Sequence, residues 1–276
     1  MKKIAIASML GLAVVSSSIT AASANQTLND RVGIRFGPFF PSIESSVTVG
    51  NQKQTYEDFL DDSATTGAVA VAWRMTKHFR LNFDYWAVNR DSSESLDRDV
   101  PIGPITVPAG TSIGATFDSG MLGASLGWSF VATETTELGV ALGVTALSLK
   151  SELGATVPGL GSASFTAFDE TYPLPLIGIY ITQALSPMWS LKADLSGIGL
   201  SIGDDFDGTV IKAFGAVELR PWKNFGLGLA YLYNDADATL KNVGDVDADI
   251  DIDWNYQGPF AYLTLGFGDV DRKSVV

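Results

Sequence analysis

From Arg31 to Phe267 the chain alternates bulky apolar residues with polar or small ones at a period of two, in ten separate segments. Successive side chains of a strand point to opposite faces, so each segment reads as a strand with one apolar face and one polar or small face. In RVGIRFGPFF, Val32, Ile34 and Phe36 oppose Arg31, Gly33, Arg35 and Gly37; in FRLNFDYWAV, Phe79, Leu81, Phe83 and Tyr85 oppose Arg80, Asn82 and Asp84. GAVAVAWRM, GMLGASLGWSFV, ELGVALGVTALSLK, TYPLPLIGIYITQAL, MWSLKADLSGIGL, VIKAFGAVELR, FGLGLAYLYN and WNYQGPFAYLTLGF follow the same rule.

The links between segments alternate in length. Short ones cover Thr76–His78, Ala132–Thr136, Ser186–Met188 and Pro221–Asn224. Long ones run from about Pro41 to Thr66, Asn89 to Ser112, Ser151 to Phe168 and Asn234 to Asp253, with Gly203–Gly208 a shorter case. Ten antiparallel strands with short turns at one end and longer loops at the other predict an all-β fold, a transmembrane antiparallel β-barrel; eight or twelve strands are the alternatives. A soluble barrel would put its bulky residues inside. Here the second face is mostly Gly, Ala, Ser and Thr, which suits a narrow interior with the bulky face turned to lipid. Aromatics near the predicted strand ends, among them Trp73, Trp128, Trp189, Trp222 and Tyr231, suit the two membrane interfaces.

Two segments carry a family likeness. AYLTLGF, with Leu263, Leu265 and Phe267 on one face, resembles the terminal strand of bacterial outer-membrane β-barrel proteins, and VELRPWKNFGLGLAYLY resembles their penultimate hairpin. The resemblance implies location in the bacterial outer membrane among lipid and lipopolysaccharide, and folding by the barrel assembly machinery. Members usually end on the aromatic, whereas GDVDRKSVV follows Phe267 here.

The start of the chain agrees with export. Lys2 and Lys3, an apolar run from Ile4 to Val15 and the small residues Ala22-Ser23-Ala24 form a secretory signal peptide, predicting removal of residues 1–24 and a single barrel domain over 25–276. The run is shorter than the ~20 residues that a spanning helix needs. Losing those two lysines takes the net charge from −13 to −15, which excludes a basic nucleic-acid surface. There is no cysteine, so thiol chemistry and Cys-bound metals are excluded, and no cofactor is expected.

Alternation assigns Arg31, Arg35, Arg74, Arg80, Asp84, Glu137, Lys192, Asp194, Lys212, Glu218 and Arg220 to the lumen. A lysine or arginine turned to lipid at the membrane centre costs about 2–4 kcal/mol, which decides the direction. Both signs occur together, so the expected interior is a largely filled, charge-lined lumen: a structural or surface protein or a restrictive small-solute channel. Passage of a small apolar ligand through the mouth or wall is the alternative. An outer-membrane hydrolase is disfavoured, because the single histidine, His78, falls in a short turn at the wrong end for such chemistry.

Most of the 31 acidic residues fall in the long links. An acidic rim would hold divalent cations between itself and lipopolysaccharide phosphates. The densest stretch is DVDADIDIDW, where Asp245, Asp247, Asp249, Asp251 and Asp253 recur at every second position. It fails as an EF-hand, since Ile252 stands where glycine is required and Gly258 where glutamate is required. It reads instead as the polar face of a strand, with Asp247, Asp249, Asp251 and Asp253 as weak cation candidates facing the mouth. Ile252, Trp254 and Tyr256 then face outward with parity opposite to Leu263, Leu265 and Phe267, which predicts a bulge at Gly258-Pro259. Two further stretches echo one another, ITVPAGTSIGATFD and ATVPGLGSASFTAFD, and are expected to extend strands above the membrane.

Overall fold

A computed structural model of the chain describes residues 25–49, 52–55, 65–95, 100–102, 105–107, 109–157, 161–202, 206–240 and 250–270. A four-residue helix, α1 (Gln26–Asn29), precedes fourteen strands: β1 (Asp30–Phe39), β2 (Ser42–Val49), β3 (Gln52–Thr55), β4 (Thr66–Arg74), β5 (Phe79–Ser95), β6 (Val100–Ile102), β7 (Ile105–Val107), β8 (Ser112–Ala132), β9 (Thr136–Val157), β10 (Gly161–Ala184), β11 (Trp189–Ile202), β12 (Phe206–Leu219), β13 (Phe225–Leu240) and β14 (Ile250–Asp269).

Strands β1, β4, β5 and β8 to β14 pair in that order, all antiparallel, and β1 pairs with β14 to close a ten-stranded barrel. Closure matters because hydrocarbon offers no water to an unpaired strand edge. Strands β2 and β3 extend the wall on the β14 side, while β6 and β7 form a separate hairpin. Several residues of the long links are therefore strand: β9 runs to Val157 and β10 starts at Gly161, so Ala155–Val157 prolong a ladder, while Ile105–Val107 belongs to the small hairpin.

Outside, a belt of exposed large apolar residues runs around the wall, including Phe83 and Tyr85 on β5, Leu122 and Leu126 on β8, Leu142 at 64% on β9, Ile177 and Ile179 on β10 and Leu227 and Leu229 on β13. An apolar area of that size is stable only against lipid, so strands make the crossing. No helix among the described residues is long and apolar enough to do so.

Chemistry changes along β5 while parity stays fixed. On β5 the inward residues are Arg80, Asn82 and Asp84 near the turn end, then Trp86 and Val88 towards the loop end; outward they run from Phe83 and Tyr85 to an exposed Asn89. Strand β14 repeats this, with Thr264 and Gly266 buried below and Trp254, Tyr256 and Phe260 buried above. Beside lipid the barrel is polar inside; above the belt it is apolar inside and polar outside, like a soluble one. The alternation assignment of Trp254 and Tyr256 to the outer face is thereby corrected: they are 3% and 0% exposed, and it is Asp253 that points outward into water.

No bulge sits at Gly258-Pro259. Register against β13 holds from Phe225↔Leu265 to Leu240↔Ile250, and Phe39↔Phe260 continues as Ser42↔Gln257. The change from apolar to polar on one face comes from a change of medium, which needs no extra residue. Register shifts occur instead at Ser129/Val131 and Thr166/Phe168.

Towards the loop end the wall divides. Paired residues of β10 and β11 end at Ile177↔Gly197, and those of β4 and β5 at Ala68↔Trp86. Among the described residues this leaves one lobe of β5, β8, β9 and β10 and another of β11 to β14 with β2 and β3. The lobes meet through buried aromatics: Trp86 is tilted on Tyr256 at 4.9 Å, and Ser119 Oγ hydrogen-bonds the Tyr256 hydroxyl.

Candidate functional site

The lumen is crossed by two layers with a chamber between them. At the turn end Arg74 donates from Nε and Nη2 to Glu137 Oε2 at 3.1 and 3.0 Å, and Ser129 Oγ donates to Glu137 Oε1 at 2.9 Å. Arg80 reaches Glu137 at 3.6 Å and Asp194 at 3.3 Å while its guanidinium lies 3.4 Å over the Tyr180 ring. Beside this group, Glu218 accepts from Lys192 at 2.8 Å, from Thr27 at 2.6 Å and from Tyr262 at 3.3 Å. Lys212 pairs with Asp84 at 3.1 Å, and Arg220 pairs with Asp30. Glu137 and Glu218 are essentially without solvent contact, at 1% and 0% exposure. A buried carboxylate is tolerable only when it is ion-paired and hydrogen-bonded, and both are.

Glycines make room for this layer. A Cβ on Gly139 would collide with the Tyr180 ring and one on Gly228 with the Tyr262 ring, so each tyrosine leans over the bare backbone of its cross-strand partner on the adjacent strand. The start of the chain completes the floor. Asn25 caps α1, accepting from Thr27 N at 3.0 Å, and its amide donates to the carbonyls of Ser186 and Trp189; Arg74 Nη1 donates to the carbonyls of Thr27 and Asp30. Leu28 is fully buried. Alternation could not reveal this, because α1 has no period and its contacts are with distant strands.

The roof is Trp86, Trp254, Tyr256, Phe39, Met121 and Phe260. Between floor and roof lies a cavity of about 220 Å³ bordered by Arg35, Asp84, Ala70, Phe214 and Phe260 among others.

Of the residues assigned to the lumen from sequence, the structure brings Arg35, Arg74, Arg80, Asp84, Lys192, Asp194, Lys212, Glu218 and Arg220 to the border of this cavity, with Glu137 in the floor behind it. Arg31 is a correction: it is exposed at the turn-end rim beside Gly268, below the last layer, where alternation no longer selects between lumen and water. Asp30 enters the network in its place. Asp247 and Asp249 lie outside the described residues; Asp251 is placed by backbone pairing with Thr239, and Asp253 stands on the outer face opposite Asp237. Partial burial of the Asp237 carboxyl, then Asp235 and Asp253, push its pKa up to about 6. No metal-holding group of His, Cys, Asp and Glu occurs among the described residues. His78 lies in the β4–β5 turn, its Nδ1 2.7 Å from the Ser129 carbonyl.

Compared by sequence, the chain matches no family model and no curated protein. Compared by structure, it resembles the outer-membrane protease OmpT of Escherichia coli at TM-score 0.55 and 10% identity, covering 91% of this chain and 99% of that one. The fold is that of an outer-membrane β-barrel. Looser likenesses include the Pseudomonas putida toluene transporter TodX, at TM-score 0.35 and 8% identity over 89% of this chain and 93% of that one, and OprG of Pseudomonas aeruginosa, at 0.31 and 14% over 87% and 98%. At these identities the likeness is one of fold alone. What this outer-membrane barrel does has to come from its own lumen.

Proposed function

We propose that the protein is a non-enzymatic barrel of the bacterial outer membrane, exported with loss of residues 1–24, whose lumen is closed in its resting state. The turn end faces the periplasm and the loop end the exterior. One observation carries this reading: a charged floor and an aromatic roof both cross the lumen, each drawing residues from several strands. An ion following the axis would have to break the Arg74–Glu137 and Lys192–Glu218 pairs and then pass between stacked indoles. Its role is that of a structural or surface protein, or of a channel restrictive enough to need rearrangement. Its surroundings are outer-membrane lipid and lipopolysaccharide, with the barrel assembly machinery as folding partner and divalent cations at the acidic rim.

A second reading, passage of a small apolar ligand through the wall, is favoured by the unpaired seam above Ile177↔Gly197, which opens beside Leu174 and Leu176. Planar-bilayer recording of the purified protein separates these from an open pore. The expected record is quiet, and a stable unit conductance at low voltage overturns the closed lumen.

A further inference from the structure

The cations of the chamber and its floor are not all neutralised. Arg74, Arg80, Lys192, Lys212 and Arg220 each have a carboxylate partner. Arg35, on the inward face of β1, has no carboxylate partner among the described residues. Its guanidinium carbon lies 5.0 Å from the centre of the Phe214 ring and 6.0 Å from that of Tyr262. Glu218, part of the same layer, feels the charge of Arg35 but forms its ion pair with Lys192 and accepts its other hydrogen bonds from Thr27 and Tyr262. Ring faces hold a guanidinium in place without cancelling its charge. A cation screened from bulk water and left unneutralised is costly, and it draws in an anion where there is room for one.

There is room beside Arg35. A Cβ placed on Gly33, two residues away on the same face, would meet nothing within 4 Å, and the adjoining wall carries only Ala70 and Ala72. The cavity of about 220 Å³ exceeds the ~150 Å³ that accommodates a benzene ring. Phe214 borders it on one side, and Trp86 and Phe260 form its roof. The arrangement offers one fork-shaped cation that fits a carboxylate with two parallel hydrogen bonds, next to a volume walled in part by Ala70, Phe214 and Phe260 and large enough for one ring or a short chain.

We propose that this chamber is a binding site for a small organic monoanion, its carboxylate on Arg35 and its apolar body against Phe214 beneath Trp86. The proposal rests on the closed-lumen reading, since an open pore would flood the site with water and salt.

Benzoate is the probe, titrated into the exported chain folded in detergent and followed by calorimetry and by tryptophan fluorescence, to which Trp86 and Trp254 of the roof contribute among six tryptophans. Saturable binding of one benzoate per barrel is expected, at least about tenfold tighter than neutral benzyl alcohol. Arg35→Gln should weaken benzoate by about tenfold or more and leave benzyl alcohol unchanged, while Arg35→Lys keeps part of the preference. Absence of saturable binding, equal affinity for the two probes, equal benzoate affinity in Arg35→Gln, or displacement by chloride at matching concentration each overturn the proposal. Should Arg35→Gln fail to fold, the comparison of the two probes on the unmodified protein still decides. Bilayer recording keeps the two readings apart: a quiet barrel that ignores benzoate loses only this site, whereas an open one loses the closed lumen itself.

Discussion

The indoles of Trp86 and Trp254 lie parallel, their ring centroids 6.1 Å apart with 6° between planes, although they come from different lobes of the divided wall. Phe39 meets Trp86 edge-on at 5.8 Å, and Tyr256 leans against Trp254 at 4.5 Å. This stack joins the lobes where the hydrogen-bonded ladder does not. Trp86→Ala and Trp254→Ala should each lower stability by about 3–5 kcal/mol, as for other buried aromatics cut to alanine. Guanidinium unfolding of the folded barrel in lipid or detergent measures it. Because the two residues share one contact, the double variant should lose less than the two single losses together; strict additivity would show that the stack does not tie the lobes.

Glu137 is the anion on which two guanidiniums and one hydroxyl converge. Glu137→Ala leaves Arg74 and Arg80 buried without it and should cost about 3–5 kcal/mol. Arg80 keeps Asp194, so Arg74 suffers the greater loss. Replacing Arg74 and Glu137 together by a well-packed apolar pair should restore most of that stability, as unfolding midpoints would reveal.

Asp237 gives the outer rim a pH dependence. Its carboxyl is held up to about 6 from an ordinary 3.8 by burial and by Asp235 and Asp253. A carboxyl whose folded pKa exceeds its unfolded one keeps its proton more firmly when folded. The folded state is therefore favoured below pH 4, loses stability between about pH 4 and 6, and levels off above. Asp237→Asn should flatten that slope and exceed the parent in stability at pH 7.5 while matching it at pH 3.5. Equal unfolding midpoints for parent and variant at pH 7.5 would remove the coupling.

The floor depends on a segment that does not belong to the barrel wall. Thr27→Val takes one of three hydrogen bonds from Glu218, and Asn25→Ala removes the cap of α1 with its bonds to Ser186 and Trp189. A bond to a charged group contributes about 1.5–3 kcal/mol, so Thr27→Val should be destabilising by that order. The double variant should stay folded, with its heat-dependent gel shift intact, and show brief channel openings in bilayers. Continued silence would place the seal in the side-chain network and the roof alone.

The strand count, the antiparallel order and the inward set from Arg74 to Arg220 could be read from the chain, because a strand alternates its faces whatever surrounds it and charge cannot face lipid. At Arg31 alternation fails for a physical reason: the residue is exposed at the rim, where both faces meet water and period two carries no information. The same reason governs DVDADIDIDW. Period two shows that its aspartates share a face, and Asp253 does share one with Leu263, Leu265 and Phe267, but the pattern does not say which medium that face meets. Height above the membrane decides it, and height follows from register and from where the apolar belt ends. Pairings between residues more than a hundred positions apart, such as Arg80 with Asp194, Lys212 with Asp84 and Arg220 with Asp30, leave no trace in local pattern. The sequence by itself determined a barrel and, beside lipid, the face that its strands turn inward; closure of the wall decided which charges pair, that Arg35 forms no ion pair among the described residues, and that Trp86 and Trp254 close the roof.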